Sequence, residues 1–156
     1  PEGSPLAAFG RSMGAATLIN GAEHLPEIKA FILESSFERL RKIAARDAWN
    51  LFYLPDTFLT DVVFWAVHQI TGIDYAGNAP EDRTGGFGSR PVFLIHDEKD
   101  VRATREAFDS LHGRLPQAQT WEVEGAWHVC AHHESPVEFE MRFLDFLHRS
   151  GVPGRQ

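Results

Sequence analysis

Residues 6–19 read Leu-Ala-Ala-Phe-Gly-Arg-Ser-Met-Gly-Ala-Ala-Thr-Leu-Ile, an apolar run followed by a glycine-flanked serine and then by small residues. A short continuous apolar run is typical of a strand buried on both faces, so we predict a strand over 6–10. The small residues, with Leu and Ile among them, predict a helix over 13–24 that packs closely on a sheet. The motif Gly-x-Ser-x-Gly at 10–14 therefore lies at a predicted strand-to-helix turn.

Ser12 is the central residue of this turn. A sharp strand-to-helix turn strains its central residue and points the hydroxyl outward, and we expect side chains in place of Gly10 and Gly14 to collide with the turn. Ser12 would also lie at a helix N-terminus, where backbone N–H groups and the helix dipole favour developing negative charge. A glycine-rich turn with an unimportant serine is the alternative, but the strand before it and the helix after it favour a nucleophile.

Strand and helix patterns alternate along most of the remaining chain. Strands are predicted over 28–34, 91–96 and 120–123, and helices over 104–114 and 136–150. Alternation with short connections is typical of an α/β fold with a parallel sheet and helices on both of its faces. We therefore predict a single α/β domain over 1–156.

The segment 36–88 interrupts this alternation, because it is too long for a crossover of one helix. Its aromatic residues predict a helical insertion of two or three helices, in which we expect Trp65 and its neighbours to form a buried core. The Gly-rich tract 84–88 at its end predicts a loose connection back to the sheet.

The composition is that of an ordinary globular protein, with 156 residues of which 43% are hydrophobic. Lys and Arg number 15 against 22 Asp and Glu, a formal net charge of −7, which argues against nucleic acid and anionic membrane surfaces as partners. The single cysteine, Cys130, excludes an internal disulfide. No apolar run reaches the roughly 18 residues of a membrane span and no membrane anchor is visible, so a cytoplasmic location is the default expectation. The oligomeric state is not predicted.

Two further residues are candidates to work with Ser12. Functional groups in parallel α/β folds come from loops at the carboxyl ends of strands, and Asp100 follows the predicted strand 91–96. A turn or helix-capping aspartate is the alternative for Asp100. His128 lies just beyond the last predicted strand and before the last helix, and histidine has the pKa range of a general base near neutral pH.

Four segments resemble the second half of an α/β-hydrolase. They are Gly-Arg-Ser-Met-Gly at 10–14, Phe-Ile-Leu-Glu-Ser-Ser-Phe at 31–37, Leu-Ile-His-Asp-Glu-Lys-Asp-Val-Arg at 94–102, and Gly-Ala-Trp-His-Val at 125–129. They are most similar to the serine-aminopeptidase-like and prolyl-oligopeptidase-like esterases and peptidases. The chain order Ser, Asp, His is also the order found in that fold.

The resemblance implies a nucleophile elbow at Ser12 and a catalytic triad in which Asp100 is the acid and His128 the base. Glu34, at the end of the second strand, is an alternative acid, and the Met13 N–H would be the first oxyanion-hole donor. The segment 36–88 would correspond to the cap that shapes substrate access.

The start of the chain departs from the family pattern. Family members have several strands before the nucleophile strand, and one of these carries the loop with the second oxyanion-hole donor. The chain opens on Pro1 rather than Met and enters a strand pattern at residue 6. We therefore expect it to be the C-terminal part of a longer hydrolase, whose second donor is not identified.

The resemblance implies a serine hydrolase that cleaves a small-molecule ester, in preference to an amide or peptide, through an acyl-serine intermediate and without a cofactor. A metal site at His128, His132, His133 and Glu134 is a rival, but the H-E-x-x-H pattern is lacking, so no metal is predicted. Cys130 as nucleophile is a second rival, although it does not lie at a strand-to-helix turn. A non-catalytic binding or interaction module on the same fold is a third.

Overall fold

The computed structural model describes residues 5–53, 55, 58–75 and 77–152, so that Pro1 lies outside it. Its strands are β1 (Leu6–Arg11), β2 (Ile28–Glu34), β3 (Val92–Asp97) and β4 (Gln119–Val123). Within the described ranges they form one parallel sheet in the order β1-β2-β3-β4, in which each strand pairs with the next along the chain. The four carboxyl ends therefore meet at one edge, and the predicted parallel sheet is confirmed.

Helices fill the connections between these strands. The α-helices of the described residues are α1 (Met13–Gly21), α2 (Leu40–Phe52), α3 (Phe58–Thr71), α4 (Arg105–Arg114), α5 (Ala131–Glu134) and α6 (Pro136–Arg149). Two 3₁₀ helices span Ala22–His24 and Pro80–Phe87. The predicted helix over 13–24 is thus an α-helix that ends at Gly21 and continues as 3₁₀ helix.

The core lies in two layers, because successive side chains of a strand point to opposite faces of the sheet. In β2, Phe31 and Leu33 are buried in a cluster that includes side chains of α1 and α4. Ile32 between them is buried in a second cluster, with Phe139 and Phe146 of α6. The α/β class, with helices on both faces of the sheet, is therefore confirmed.

The segment between β2 and β3 is helical, but the large aromatic side chains on α2 and α3 whose burial is described do not form a buried core. Trp49, Tyr53 and Trp65 are 54%, 79% and 64% exposed. The side of α2 that faces inward carries the smaller residues Ile43 and Ala45. The expected burial of Trp65 and its neighbours is therefore wrong, since aromatic content does not determine which side of a helix meets the sheet.

The tract 84–88 is not loose. Residues 80–87 form a 3₁₀ helix, and Phe87 is fully buried with its ring centroid 4.8 Å from that of Phe31. The Arg90 guanidinium donates to five carbonyl oxygens of the surrounding backbone. These two side chains hold the segment against the sheet. The prediction of a loose connection, which was based on the glycine content alone, is therefore wrong.

Across the described residues, no helix combines the length and the apolar character that crossing a bilayer requires.

Candidate active site

Ser12 is the single residue between the end of β1 and the start of α1. Its backbone has φ 49° and ψ −116°, a conformation that an L-residue adopts only under strain. The Ser12 N–H donates to the Glu34 carbonyl oxygen at 2.9 Å, which ties the turn to the end of β2. The predicted strain at the centre of the turn is confirmed.

The two glycines that flank Ser12 are not equivalent. A Cβ atom on Gly10 would lie 2.7 Å from the Ala15 nitrogen and 2.7 Å from the Gly14 carbonyl carbon, so the predicted collision is confirmed there. A Cβ atom on Gly14 would meet no heavy atom within 4 Å, so the same prediction is wrong for Gly14. Gly14 lies in the first turn of α1 with open space where its Cβ atom would be, whereas the Cβ position of Gly10 faces the backbone at the start of the helix.

We expect Gly10→Ala to destabilise the fold by about 3 kcal/mol, because backbone atoms cannot yield as side chains do. Gly14→Ala is the matched control and should change stability by less than about 1 kcal/mol, in the stabilising direction. Urea unfolding of both variants measures the difference. Equal effects at the two positions would contradict this account of the turn.

His128 contacts both of the other residues that the sequence singled out. Its Nε2 lies 2.9 Å from Ser12 Oγ, and its Nδ1 lies 2.6 Å from Asp100 Oδ2. The loops that carry Asp100 and His128 are joined by a bond from the Lys99 N–H to the Ala126 carbonyl oxygen at 2.8 Å. The structure thus brings Ser12, Asp100 and His128 together at the carboxyl edge of the sheet.

The Asp100 carboxylate is held by its own loop. Its Oδ1 accepts the N–H groups of Arg102 and Ala103 at 2.8 and 2.9 Å, and its side chain is fully buried. The remaining oxygen, Oδ2, faces the imidazole. The alternative of a turn aspartate is therefore also correct, because one carboxylate oxygen caps the turn and the other meets His128.

Glu34 does not take the place of Asp100. Its Oε1 accepts the Ala131 N–H at 3.2 Å, and its side chain is buried at the end of β2. Burial, and then the neighbouring Asp97 carboxyl group, raise the pKa of Glu34 to about 7, while the Ala131 N–H, Arg11 and His128 act in the opposite direction. The geometry therefore favours Asp100 over Glu34 as the acid that faces the histidine.

The raised pKa of Glu34 makes stability depend on pH. Below pH 4.5 the group is protonated in both states; between 4.5 and about 7 it ionises only in the unfolded state, so stability falls as pH rises. We expect Glu34→Gln to remove this loss. The free energy of unfolding of the variant, relative to that of wild type, should therefore increase by up to about 3 kcal/mol between pH 5 and pH 8. Urea unfolding at both pH values measures it. A constant difference between the two proteins would refute the raised pKa.

Met13 is the first residue of α1 and follows Ser12 directly. The first N–H groups of a helix have no partner within the helix, so the Met13 N–H is open to a ligand at this end. Its assignment as an oxyanion-hole donor stays a prediction.

The histidine-rich segment after β4 has other contacts. His132 Nε2 lies 3.8 Å from Glu140 Oε1, and the His132 ring packs edge-on against Phe139. Within the described part of the chain, no three His, Cys, Asp or Glu side chains are grouped so that they could hold a metal ion. The half-buried Cys130 thiol lies 3.5 Å from the His128 carbonyl oxygen.

Sequence reasoning missed Asp97 and Ser35 as parts of this site. Asp97 Oδ2 accepts the Val129 N–H at 2.9 Å and a short hydrogen bond from the Ser35 hydroxyl. Their positions in the sequence were the available signal. Asp97 ends β3 and Ser35 directly follows Glu34 at the end of β2, and the ends of neighbouring parallel strands lie at one edge of the sheet.

Solved structures with a similar fold include an esterase and a peptidase. An esterase from Pyrococcus furiosus matches with a TM-score of 0.69 and 27% identity, over 94% of this chain and 53% of that chain. An acylaminoacyl peptidase from Pyrococcus horikoshii matches with a TM-score of 0.66 and 16% identity, over 95% of this chain and 24% of that one. This chain thus spans about half the length of the esterase. No protein-family model and no curated protein sequence matches it.

The parallel sheet, the strained serine at the strand-to-helix turn and the neighbouring histidine and aspartate define an α/β-hydrolase-type fold. Together with the similar structures, they place the chain in the α/β-hydrolase superfamily.

Proposed function

We propose that the chain carries the catalytic residues of a serine hydrolase, with Ser12 as nucleophile, His128 as general base and Asp100 as the residue that orients the histidine. The observation that carries the proposal is the continuous contact from Ser12 Oγ through the His128 ring to Asp100 Oδ2, at 2.9 and 2.6 Å. A serine hydroxyl needs such a base, and the base needs such an orienting group, before it can attack a carbonyl carbon.

The reaction follows from these contacts. Ser12 Oγ attacks the substrate carbonyl carbon while His128 Nε2 takes the hydroxyl proton, and Asp100 stabilises the imidazolium through Nδ1–H. The imidazolium then protonates the leaving alcohol, which departs and leaves an acyl-serine. Water, deprotonated by His128, attacks this ester, and the proton returns to Ser12 Oγ as the carboxylic acid leaves. The steps are proton and acyl transfers, so the proposal requires no cofactor.

Negative charge on the carbonyl oxygen develops at the N-terminus of α1. The Met13 N–H would donate to that oxygen, and the dipole of this nine-residue helix acts in the same direction. Removing one such donor typically costs about 100- to 1000-fold in rate.

The substrate in this proposal is a carboxylic ester, in preference to an amide or peptide. The similarity to the Pyrococcus furiosus esterase supports an ester, and the similarity to the acylaminoacyl peptidase keeps the amide as the second choice.

We propose further that residues 1–156 form one domain, in which the segment 36–88 is the cap. Its helix α2 is joined to the loop that carries Asp100: Arg102 pairs with Asp47 at 2.6 Å, and Asn50 Nδ2 donates to the Val101 carbonyl oxygen at 3.4 Å. A groove of about 360 Å³ lies along this junction and is lined by Trp49, Asn50 and Val101 among others. A cap that is attached at this point can affect both the access of substrate and the position of the Asp100 carboxylate.

Reaction with a fluorophosphonate tests the proposal, because this probe forms a covalent bond with an activated serine. We expect one probe molecule per protein, mapped by peptide mass spectrometry to Ser12, and no labelling after heat denaturation. A short-chain ester should compete with labelling. Absence of labelling, or labelling at another residue, would refute the proposal and would favour a non-catalytic binding module.

A further inference from the structure

The turn that carries His128 contains a strained residue. Val129, which directly follows the histidine, has φ 61°. A β-branched residue rarely adopts a positive φ, and such a conformation persists only where the surrounding structure holds it. The aim of the imidazole therefore depends on what fixes the backbone after His128.

Two buried carboxyl groups fix that backbone. Asp97 Oδ2 accepts the Val129 N–H at 2.9 Å, and Glu34 Oε1 accepts the Ala131 N–H at 3.2 Å. Both side chains are at most 1% exposed. They come from the ends of β3 and β2, which are the two central strands of the sheet, so they join the turn to the sheet.

Ser35 reinforces the contact to Val129. Its hydroxyl donates to Asp97 Oδ2, and its Oγ also lies 3.2 Å from the Val129 nitrogen. Asp97 Oδ1, by contrast, is buried without a hydrogen-bond partner among the described residues. Burying a carboxyl oxygen in this way costs stability. A pair of adjacent buried acids is a poor arrangement for stability, which favours a role at the site over a purely structural one.

We propose that Glu34 and Asp97 are positioning residues for His128, which hold the turn 128–131 through its N–H groups and so aim the imidazole at Ser12 and Asp100. They contact the backbone after the histidine and act through it. The effect on turnover rests on the proposed function, whereas the effect on the geometry does not.

The size of the effect follows from the geometry of proton transfer. The two ring nitrogens lie 2.9 Å from Ser12 Oγ and 2.6 Å from Asp100 Oδ2, so a small tilt of the ring lengthens one contact or both. A misplacement of about 1 Å at a reacting group costs on the order of 100-fold in rate. We therefore expect loss of the carboxyl acceptors to lower kcat by about 10- to 100-fold and to leave KM nearly unchanged.

Paired variants test the proposal in the full protein. Asp97→Ala and Glu34→Met remove the acceptor, whereas Asp97→Asn and Glu34→Gln keep an oxygen that can accept the same N–H. Amide hydrogen exchange at Val129 and Ala131 measures the contacts directly. The Leu115 N–H, which lies outside this turn and donates to the His112 carbonyl oxygen at 2.9 Å, is the internal control.

We expect exchange to accelerate at least tenfold at Val129 in Asp97→Ala and at Ala131 in Glu34→Met. The nuclear magnetic resonance signal of the His128 Nδ1–H proton should also be lost in these two variants, because its protection needs the bond to Asp100. The Asn and Gln variants should retain both properties. Unchanged exchange, or an unchanged Nδ1–H signal despite faster exchange, would overturn the proposal.

If the Ala and Met variants do not fold, the Asn and Gln variants decide, since loss of amide protection or of the Nδ1–H signal in them overturns the proposal. Neither readout requires turnover. A protein that resists fluorophosphonate yet shows the expected exchange and resonance pattern would therefore refute the proposed function and still support the positioning role.

Discussion

Ser12→Ala will abolish fluorophosphonate labelling and lower ester turnover by about 10⁶-fold. Ser12 Oγ is the atom that the His128 imidazole faces at 2.9 Å, and alanine has no nucleophile to put there. The variant keeps the backbone of the turn, because alanine and serine tolerate the φ of 49° equally poorly. Stability should therefore change little, and the loss of rate can be assigned to chemistry.

Ser89→Ala is the matched control for this prediction. Ser89 is exposed and lies in the turn before β3, so its hydroxyl takes no part in the proposed reaction. Labelling and initial rates of ester hydrolysis are measured for both variants beside wild type. Labelling that survives in Ser12→Ala would show that another residue is the nucleophile.

The centre of the sheet could be predicted from the sequence because β2 and β3 are buried on both faces. The prediction of β2 over 28–34 agrees with the structure at both ends, and β3 differs from its prediction by one residue at each end. Buried parallel strands are continuous apolar runs, which are visible without knowledge of the neighbours. The burial of Trp65 could not be predicted in this way, since it depends on which side of α3 meets the rest of the molecule.

The proximity of the three candidate residues could be predicted because the ends of parallel strands lie at one edge of the sheet. That argument does not separate Asp100 from Glu34, since both follow buried strands. Which of the two acids faces His128 depends on the path of the loop after β3. In this loop the Arg102 and Ala103 N–H groups bind Asp100 Oδ1, which leaves Oδ2 facing the imidazole. The motif also could not show that a side chain at Gly14 would meet no other atom, because the open space beside this glycine is a property of the folded turn.

Asp100→Asn will lower turnover by about 10⁴-fold, since the asparagine will favour the wrong tautomer of His128. The Arg102 and Ala103 N–H groups bind Oδ1 in the wild type and will select the carbonyl oxygen of asparagine for that position. The amide nitrogen must then face His128 Nδ1, where it donates. Nδ1 becomes an acceptor, and the proton moves to Nε2, the atom that should accept the Ser12 proton.

Two further variants give this prediction its specificity. Asp109→Asn replaces an exposed aspartate that pairs with Arg105, and it should leave turnover unchanged. Glu34→Gln should cost less than about tenfold, because glutamine can still accept the Ala131 N–H. Initial rates of ester hydrolysis for the three variants decide between the acids. A loss of about 10⁴-fold in Glu34→Gln together with a small loss in Asp100→Asn would move the catalytic acid to Glu34, since only the residue that fixes the His128 tautomer produces an effect of that size.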